Sequence, residues 1–222
     1  MRKIITGAFV SLDGVMQAPG GSEEDPSSGF RYGGWVAPLA DEAFGEEVDK
    51  LFAGPFDLLL GRKTYEIFAA YWPFKEGAEY AGIARSFNAA TKYVATRSDM
   101  ALTWDRSERL KDAAADVPRL KREDGPPLVT QGSSDLIQTL LAHDLIDELR
   151  VFTFPVTLGR GKKLFGDGVK PAAFKLAHSR VSPNGIVIAT YARAGELKTA
   201  DIDLDPPAPA EVARRDKMKG ER

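Results

Sequence analysis

Two short stretches of the chain each combine an apolar run, a glycine and a segment that favours a helix. The first runs from Leu58 to Tyr65 and the second from Leu128 to Leu136. In both, a run short enough to be a buried parallel strand passes directly into the helix-compatible segment. Each stretch therefore predicts a helix N-terminus at the carboxyl end of a strand, where α/β sheets bind ligands and where backbone N–H groups attract anions.

The side chains at these two junctions favour a phosphate ligand. Arg62 and Lys63 place positive charge at a helix start, where cations oppose the helix dipole, and a bound anion would explain that placement. Gly132, Ser133 and Ser134 are small enough to let a phosphate approach the backbone. Together the junctions predict a site for a phosphorylated dinucleotide, with solvated surface charge as the alternative interpretation of Arg62 and Lys63.

Two further groups have side chains suited to binding such a dinucleotide or to a hydride transfer from it. Arg97 and Ser98 follow a third predicted strand and are either a plain turn or a contact for the 2′-phosphate that distinguishes NADPH from NADH. Asp13, before Gly14, is most simply the turn that ends the first strand. Its alternative role is to bind substrate or, with a pKa raised by burial, to supply the proton that accompanies hydride transfer.

Composition excludes several classes of protein. The 222 residues contain no cysteine and two histidines, which argues against disulfides, a thiolate nucleophile and a zinc site. With 30 basic and 32 acidic residues, a net charge of −2, the chain has no general attraction to nucleic acid or to an anionic membrane. The first apolar run is too short for a signal or transmembrane segment, so we expect a cytoplasmic protein.

Apolar periodicity predicts alternating strands and helices. We expect strands over 4–12, 56–60, 91–96, 128–130 and 147–154, helices over 41–52, 62–70, 79–88, 107–116 and 135–143, and a hairpin of 174–181 and 186–193 around an Asn-Gly turn. This order predicts an α/β fold with a mostly parallel sheet, helices on both faces and an antiparallel C-terminal hairpin. We expect one domain over 1–195 and a polar, charged tail over 196–222 that is disordered or loosely docked.

Five motifs in this order resemble the dihydrofolate reductase-like superfamily. They are Ser11-Leu12-Asp13-Gly14, Gly61-Arg62-Lys63-Thr64-Tyr65-Glu66, Gly132-Ser133-Ser134, Leu145-Ile146-Asp147-Glu148-Leu149 and the segment from Pro155 to Phe165. More closely, the chain resembles the reductase domain of the bifunctional riboflavin-biosynthesis deaminase-reductase and its stand-alone relatives. The resemblance implies a three-layer dihydrofolate reductase-like fold. We expect the reductase part alone, because the chain lacks the cysteine-histidine zinc signature of the deaminase.

The resemblance also implies an NADPH-dependent oxidoreductase that forms a homodimer and acts on a small heterocyclic substrate. It places the loop that contains Asp13 beside the nicotinamide. Gln131 stands where many dihydrofolate reductases carry a further glycine. Residue by residue, the resemblance assigns the cofactor-phosphate turn to Gly61, Arg62, Lys63 and Thr64, the 2′-phosphate contact to Thr96, Arg97 and Ser98, and the pyrophosphate contact to Gly132, Ser133, Ser134 and Leu136.

The substrate stays open among related alternatives. The reaction that the resemblance implies most directly is the reduction of 5-amino-6-(5-phosphoribosylamino)uracil in riboflavin biosynthesis. No second basic cluster is assigned to the sugar phosphate of that substrate. The basic loop 159–163 is interpreted as structural and near a dimer contact, and Asp147 as a structural residue at a strand start. Dihydrofolate, pterin or other small-molecule reduction is the alternative, as is nucleotide binding without catalysis. The acidic pterin-binding residue has no unambiguous match among Asp41, Glu42, Glu46, Glu47 and Asp49.

Overall fold

A central eight-stranded sheet organises the chain. The computed structural model describes residues 1–75, 81–167, 169–200 and 206–221. The strands are β1 Ile4–Ser11, β2 Asp57–Gly61, β3 Lys92–Ala95, β4 Ser107–Leu110, β5 Leu128–Gln131, β6 Glu148–Phe154, β7 Phe174–Val181 and β8 Val187–Arg193. The α-helices of the described residues are α1 Glu42–Leu51, α2 Arg62–Ala69, α3 Ala81–Ala89, α4 Ala113–Arg122, α5 Ser134–Ala142 and α6 Pro209–Lys219. Short 3-10 turns lie at Ser27–Gly29, Ala37–Leu39 and Trp72–Phe74.

Six of the strands are parallel and end at one edge of the sheet. Across the sheet the order is β4-β3-β2-β5-β1-β6-β8-β7. Strands β1 to β6 run in one direction, whereas β8 pairs antiparallel with β6 and β7 pairs antiparallel with β8. The predicted mostly parallel sheet with an antiparallel C-terminal hairpin is confirmed. We call the shared end of β1 to β6 the carboxyl edge. The residues that the resemblance assigns to the cofactor lie at this edge, at or after the ends of β2, β3 and β5.

Different helices cover the two faces of the sheet. On one face α4 and α5 contribute Val117 and Leu140 to an apolar cluster that also contains Leu59 of β2. On the other face, α1, α2 and α3 pack against the neighbouring residues Leu58 and Leu60. Successive strand residues point to opposite faces, so each strand of the sheet centre must be apolar on both sides. This confirms the predicted three-layer arrangement.

Helix α1 lies directly on β1 because β1 carries a glycine. A Cβ at Gly7 would approach Leu51 Cδ2 to 2.4 Å, so a side chain there would push the helix away. The helix is capped by Asp41, whose carboxylate accepts from the Phe44 amide at 2.9 Å. The other oxygen of Asp41 accepts from the Asn184 amide at 3.0 Å in the β7–β8 turn. One capping residue therefore fixes both the helix start and the hairpin.

The segment from 107 to 116 is not the helix that its alanine content predicted. Ser107–Leu110 is strand β4, parallel to β3, and the helix α4 begins only at Ala113, after the capping residue Asp112. Strand pairing with a distant segment overrides the local helix preference of this stretch. The predicted start of α3 at 79–80 lies outside the described residues.

Part of the predicted tail forms a helix. The helix α6 is exposed along nearly all of its length, and Glu211 pairs with Arg214 and Arg215 on its surface. Such pairs, three and four residues apart, stabilise a helix that buries little. Within the described residues, no helix is long and apolar enough to cross a membrane.

Candidate functional site

The two predicted strand–helix junctions lie against each other. Strand β2 ends at Gly61, directly before α2, and β5 ends at Gln131, with two residues between it and α5. Gly132 and Ser133 both have left-handed backbones, with φ of +70° and +62°. This turn directs the Ser133 hydroxyl at the first junction, where it accepts from the Gly61 N–H at 2.8 Å. The structure therefore brings together residues that the sequence separates by 72 positions.

Glycines allow the close approach of the two junctions. A Cβ at Gly61 would lie 3.3 Å from Ser133 Cβ, and a Cβ at Gly132 would lie 3.3 Å from Thr64 Oγ1. Both distances are shorter than ordinary van der Waals contact. At Gly132 the positive φ adds a backbone cost for any side chain. The glycines serve the contact between α2 and the β5–α5 turn.

The two helices at this contact begin without a side-chain cap. Asp41 and Asp112 cap α1 and α4, whereas no side chain among the described residues caps the start of α2 or of α5. In α5 the capping position is Ser133, whose hydroxyl is engaged with Gly61 instead. The first-turn N–H groups of α2 and α5 are therefore available to an external acceptor such as a phosphate oxygen.

Arg62 and Lys63 are exposed on the first turn of α2. Arg62 Nη1 pairs with Glu66 Oε2 at 2.8 Å, one turn further along the helix, and both side chains are more than 40% exposed. An exposed pair of this kind contributes about 0.3–0.5 kcal/mol. Arg62 can therefore leave Glu66 for a phosphate at small cost.

The third candidate group lies on the neighbouring strand. Ala95 of β3 is in register with Gly61 of β2, and Thr96, Arg97 and Ser98 follow it at the carboxyl edge. Thr96 is a buried turn residue whose hydroxyl accepts from the Ser98 amide at 3.1 Å. Arg109 of β4 donates to the carbonyls of Ser98 and Met100 and so fixes the turn. Arg97 is exposed on this fixed turn.

The Leu136 side chain packs into the core beside the junction, where its Cβ would lie 3.7 Å from a Cβ at Gly61. Its side chain is 5% exposed and belongs to the apolar cluster under α4 and α5. Its N–H lies in the first turn of α5. Any contact of Leu136 with a cofactor would therefore pass through the amide.

Asp13 is held by the Ser11 hydroxyl and two backbone amides, and the raised pKa of the proton-donor alternative is wrong. Its carboxylate accepts from the Ser11 hydroxyl at 2.6 Å and from the amides of Leu158 and Gly159 at 3.0 and 2.7 Å. The Ser11 hydroxyl and these amides lower the pKa of Asp13 to about 2. Asp13 is thus an ionised tie between the loop after β1 and the loop after β6, which argues against its use as a proton donor.

Gln17 is a central residue of this region that sequence reasoning missed. It is 4% exposed, and its amide donates to the carbonyls of Asp25 and Ser27, both at 3.0 Å. Its side-chain oxygen accepts from the Lys162 amide at 3.1 Å. Gln17 thereby joins the long loop after β1 to the basic loop 159–163. Its partners are distant in sequence, so no local pattern signals this role.

The basic loop 159–163 is paired on both sides. The Met16 amide donates to the carbonyl of Lys162 at 2.8 Å, and the Leu164 amide donates to that of Gly14 at 3.0 Å. Beyond it, Gln138 of α5 donates to the Leu164 carbonyl and accepts from the Gly166 amide at 3.3 Å. The loop therefore connects the end of β1 to the helix of the second junction.

Several acidic residues of uncertain role have structural partners. Asp147 accepts from the Ile4 amide at 2.8 Å and pairs with Lys121, which confirms its predicted structural role at a strand start. Asp41 caps α1, and Glu46 and Glu47 pair with Arg180 of β7. Within the described ranges, no group of three or more histidine, aspartate or glutamate side chains is arranged to hold a metal ion.

Most of the chain matches a known protein family. Residues 2–188 match the sequence profile of the RibD C-terminal domain. The protein YyaP of Bacillus subtilis (strain 168), which is uncharacterised, is 26% identical over 195 residues, covering 86% of this chain and 94% of YyaP.

Solved structures show the same fold at low identity. A Shewanella sp. PV-4 protein, provisionally described as a riboflavin biosynthesis protein, has a TM-score of 0.59 at 19% identity over 86% of this chain and 99% of its own. A pyrimidine reductase-like protein of Corynebacterium diphtheriae gives 0.54 at 12% identity, over 88% and 93%. The bifunctional deaminase and 5-amino-6-(5-phosphoribosylamino)uracil reductase of Thermotoga maritima gives 0.55 at 16% identity over 87% of this chain, which spans 57% of that protein.

The profile match covers most of the chain, and the solved neighbours share its α/β fold. The chain belongs to the RibD C-terminal domain family.

Proposed function

We propose that the protein is an NADPH-dependent reductase of a small polar heterocycle. The observation that carries the proposal is the hydrogen bond between Gly61 and Ser133, which unites two uncapped helix starts at the carboxyl edge. Membership of the RibD C-terminal domain family supports a reductase. Nucleotide binding without turnover is the competing function, and the test below separates it from reduction.

The residues at the carboxyl edge fit NADPH. The first-turn amides of α2 and α5 would receive the phosphates of the pyrophosphate, with Arg62 as their mobile counter-charge. The exposed Arg97, on its fixed turn, would bind the 2′-phosphate. NADPH supplies the hydride, and the protein supplies alignment of the two reacting partners.

For the substrate we propose a pyrimidine of the kind reduced in riboflavin biosynthesis. The family supports this choice, and the bifunctional Thermotoga maritima neighbour is named for such an activity. A pterin or dihydrofolate is the alternative substrate. The acidic residues Asp41, Glu46 and Glu47 of that region all have structural partners, which weighs against the pterin alternative.

Binding followed by turnover tests the function. The full chain is titrated with NADPH and NADH by fluorescence, and NADPH oxidation is then measured with the phosphoribosylaminopyrimidine, dihydrofolate and dihydropterins. We expect NADPH to bind more tightly than NADH and the pyrimidine to be reduced fastest. Tight NADPH binding with no turnover on any compound would favour a nucleotide-binding protein, and no binding of either dinucleotide would contradict both functions.

The homodimer implied by the resemblance stays a prediction, as does the cytoplasmic location expected from the short first apolar run. Light scattering of the purified chain tests the first of them. A mass of about 48 kDa, twice the 24.2 kDa of one chain, would support the dimer.

A further inference from the structure

A cavity of about 340 Å³ opens between the loop after β1 and the loop after β6. We propose that it receives an acidic group, a phosphate or carboxylate, on a small planar heterocyclic substrate, and that Arg160 recognises this group. The proposal rests on the reductase function above and names the class of its substrate. The cavity lining includes Gln17, Ser27, Ser28, Phe30, Arg160 and Lys162.

The walls of the cavity are already fixed. The buried amide of Gln17 bonds the carbonyls of Asp25 and Ser27 on one side and the Lys162 amide on the other. The Ser27 hydroxyl donates to the Asp25 carboxylate at 2.5 Å. A ligand therefore enters a shaped site and does not have to order two loops, which lowers the entropic cost of binding.

The two cations of the lining differ in their pairing. Lys162 forms an ion pair with Asp25. Burial acts to raise the pKa of Asp25, but Lys162 and Ser27 outweigh it and lower that pKa, so the pair stays charged. Within the described parts of the chain, no carboxylate pairs with the exposed Arg160. Arg160 is thus the cation of this cavity that can receive an external anion, and a guanidinium suits bidentate contact with phosphate or carboxylate.

One wall is aromatic, and a glycine permits its contact with the basic loop. A Cβ at Gly161 would lie 3.1 Å from Phe30 Cε2 and 2.5 Å from Val15 Cγ1, so the loop backbone runs flush against this wall. The Phe30 ring meets Tyr32 edge-on, with 5.9 Å between centroids. An aromatic face beside a guanidinium suits a planar ring that carries an acidic substituent.

The cavity is connected to the dinucleotide site by the chain itself. The loop that supplies Arg160 and Lys162 continues to Leu164 and Gly166, which bond Gln138 one turn into α5. The start of α5 is the second strand–helix junction. A substrate bound here would lie at the same edge of the sheet as the proposed cofactor.

Matched ligand pairs test the proposal on the full chain. Isothermal titration at fixed ionic strength compares orotate with uracil, and uridine 5′-monophosphate with uridine. The variants are Arg160→Gln, Arg160→Lys and, as a charge-matched control, Arg122→Gln. Arg122 is exposed at the end of α4, on the opposite edge of the sheet. The comparison of orotate with uracil tests recognition of a carboxylate. The comparison of uridine 5′-monophosphate with uridine tests recognition of a phosphate.

We expect at least one acidic ligand to bind more tightly than its neutral partner. Arg160→Gln should weaken that acidic ligand about ten- to hundredfold, the loss expected for a charged hydrogen bond, and the neutral one less than about threefold. Arg160→Lys should retain part of the preference, and Arg122→Gln all of it. An equal loss of acidic and neutral ligands in Arg160→Gln would overturn the proposal. So would the absence of any preference for the acidic partner in the unmodified protein.

NADPH titration of the same proteins keeps the two proposals apart. Arg160→Gln should bind NADPH with unchanged affinity, because the cofactor residues lie on the ends of β2, β3 and β5. If the unmodified protein fails to bind NADPH but shows the Arg160-dependent preference, the reductase function fails and the acidic-ligand site stands.

Discussion

The Ser133 hydroxyl accepts a hydrogen bond from the Gly61 N–H at 2.8 Å and so joins the start of α2 to the start of α5. Ser133 reaches Gly61 only because it and Gly132 both adopt left-handed backbones. The bond engages the hydroxyl that would otherwise cap α5, leaving the first-turn amides for a ligand. One side chain thus both positions and opens the proposed phosphate site.

Replacing Ser133 by alanine should weaken both the fold and the site. The Gly61 amide loses its acceptor, which costs about 1–2 kcal/mol in the free energy of unfolding. NADPH affinity should fall roughly three- to tenfold because the two helix starts are no longer fixed to each other. Urea denaturation and NADPH fluorescence measure the two effects. In denaturation, Ser134→Ala is the control and should stay within about 0.5 kcal/mol of the unmodified protein; an equal loss in both variants would contradict the assignment.

Removing Glu66 should improve cofactor binding. If Arg62 binds the cofactor phosphates as proposed, Glu66 competes with them for Arg62. Glu66→Gln should then tighten NADPH binding about twofold, the factor that corresponds to an exposed ion pair of about 0.3–0.5 kcal/mol. Arg62→Ala should weaken it. Fluorescence titration checks both variants. A Glu66→Gln protein that binds NADPH less tightly would show that the pair supports the site instead of competing with it.

Arg97 should distinguish the two dinucleotides. If its guanidinium binds the 2′-phosphate, Arg97→Gln should weaken NADPH binding about tenfold or more and leave NADH binding nearly unchanged. The comparison is the ratio of the two dissociation constants, with Arg122→Gln as the control for net charge. Parallel losses for NADPH and NADH would remove the 2′-phosphate assignment.

Asp13 should stabilise the protein above its pKa. Its pKa is about 2 in the folded protein and ordinarily 3.8, so its contribution is present above about pH 4 and disappears as the pH falls through 2. Asp13→Asn should lower the free energy of unfolding by about 1 kcal/mol at pH 7, because the carboxylate is partly exposed and its bonds are weakened by solvent.

Unfolding of this variant and the unmodified protein between pH 7 and 2 measures the difference. It should be constant at neutral pH and shrink in acid. Asp99→Asn, at an exposed site on the Ser98 turn, is the control. A difference that persists unchanged to pH 2 would mean that the carboxylate charge has no part in the tie.

Lys92 should make stability rise in alkaline solution. This buried side chain donates to the carbonyls of Asn88 and Asp105 at 2.8 and 3.0 Å, and burial lowers its pKa from 10.5 to about 8. Between these values the unfolded chain keeps a proton that the folded protein has lost, so the free energy of unfolding increases with pH.

Lys92→Met should abolish this increase, which is on the order of 3 kcal/mol between pH 8 and 10.5. Denaturation at several alkaline pH values measures it. Lys111→Met, which alters an exposed lysine, should keep the increase. An identical pH dependence in Lys92→Met and the unmodified protein would contradict the assigned pKa.

Local patterns were sufficient for most of the fold. The apolar runs around Leu59 and Val129 predicted strands, and the glycines after them predicted the helix starts, because strand alternation and helix initiation depend on neighbouring residues. The β4 strand at Ser107–Leu110 was missed because it is a strand only by pairing with β3.

The sequence by itself determined the layered fold and the residue types at the ends of β2, β3 and β5. Only the tertiary structure decided what those residues do together. It placed the Gly61 amide against the Ser133 hydroxyl, and it placed the Asp13 carboxylate within hydrogen-bond distance of the amides of Leu158 and Gly159. These donors lower the pKa of Asp13, which argues against its use as a proton donor. The physical reason is that the pKa of a carboxyl group and the cap of a helix depend on which donors lie within about 3 Å, and chain folding brings those donors from distant positions.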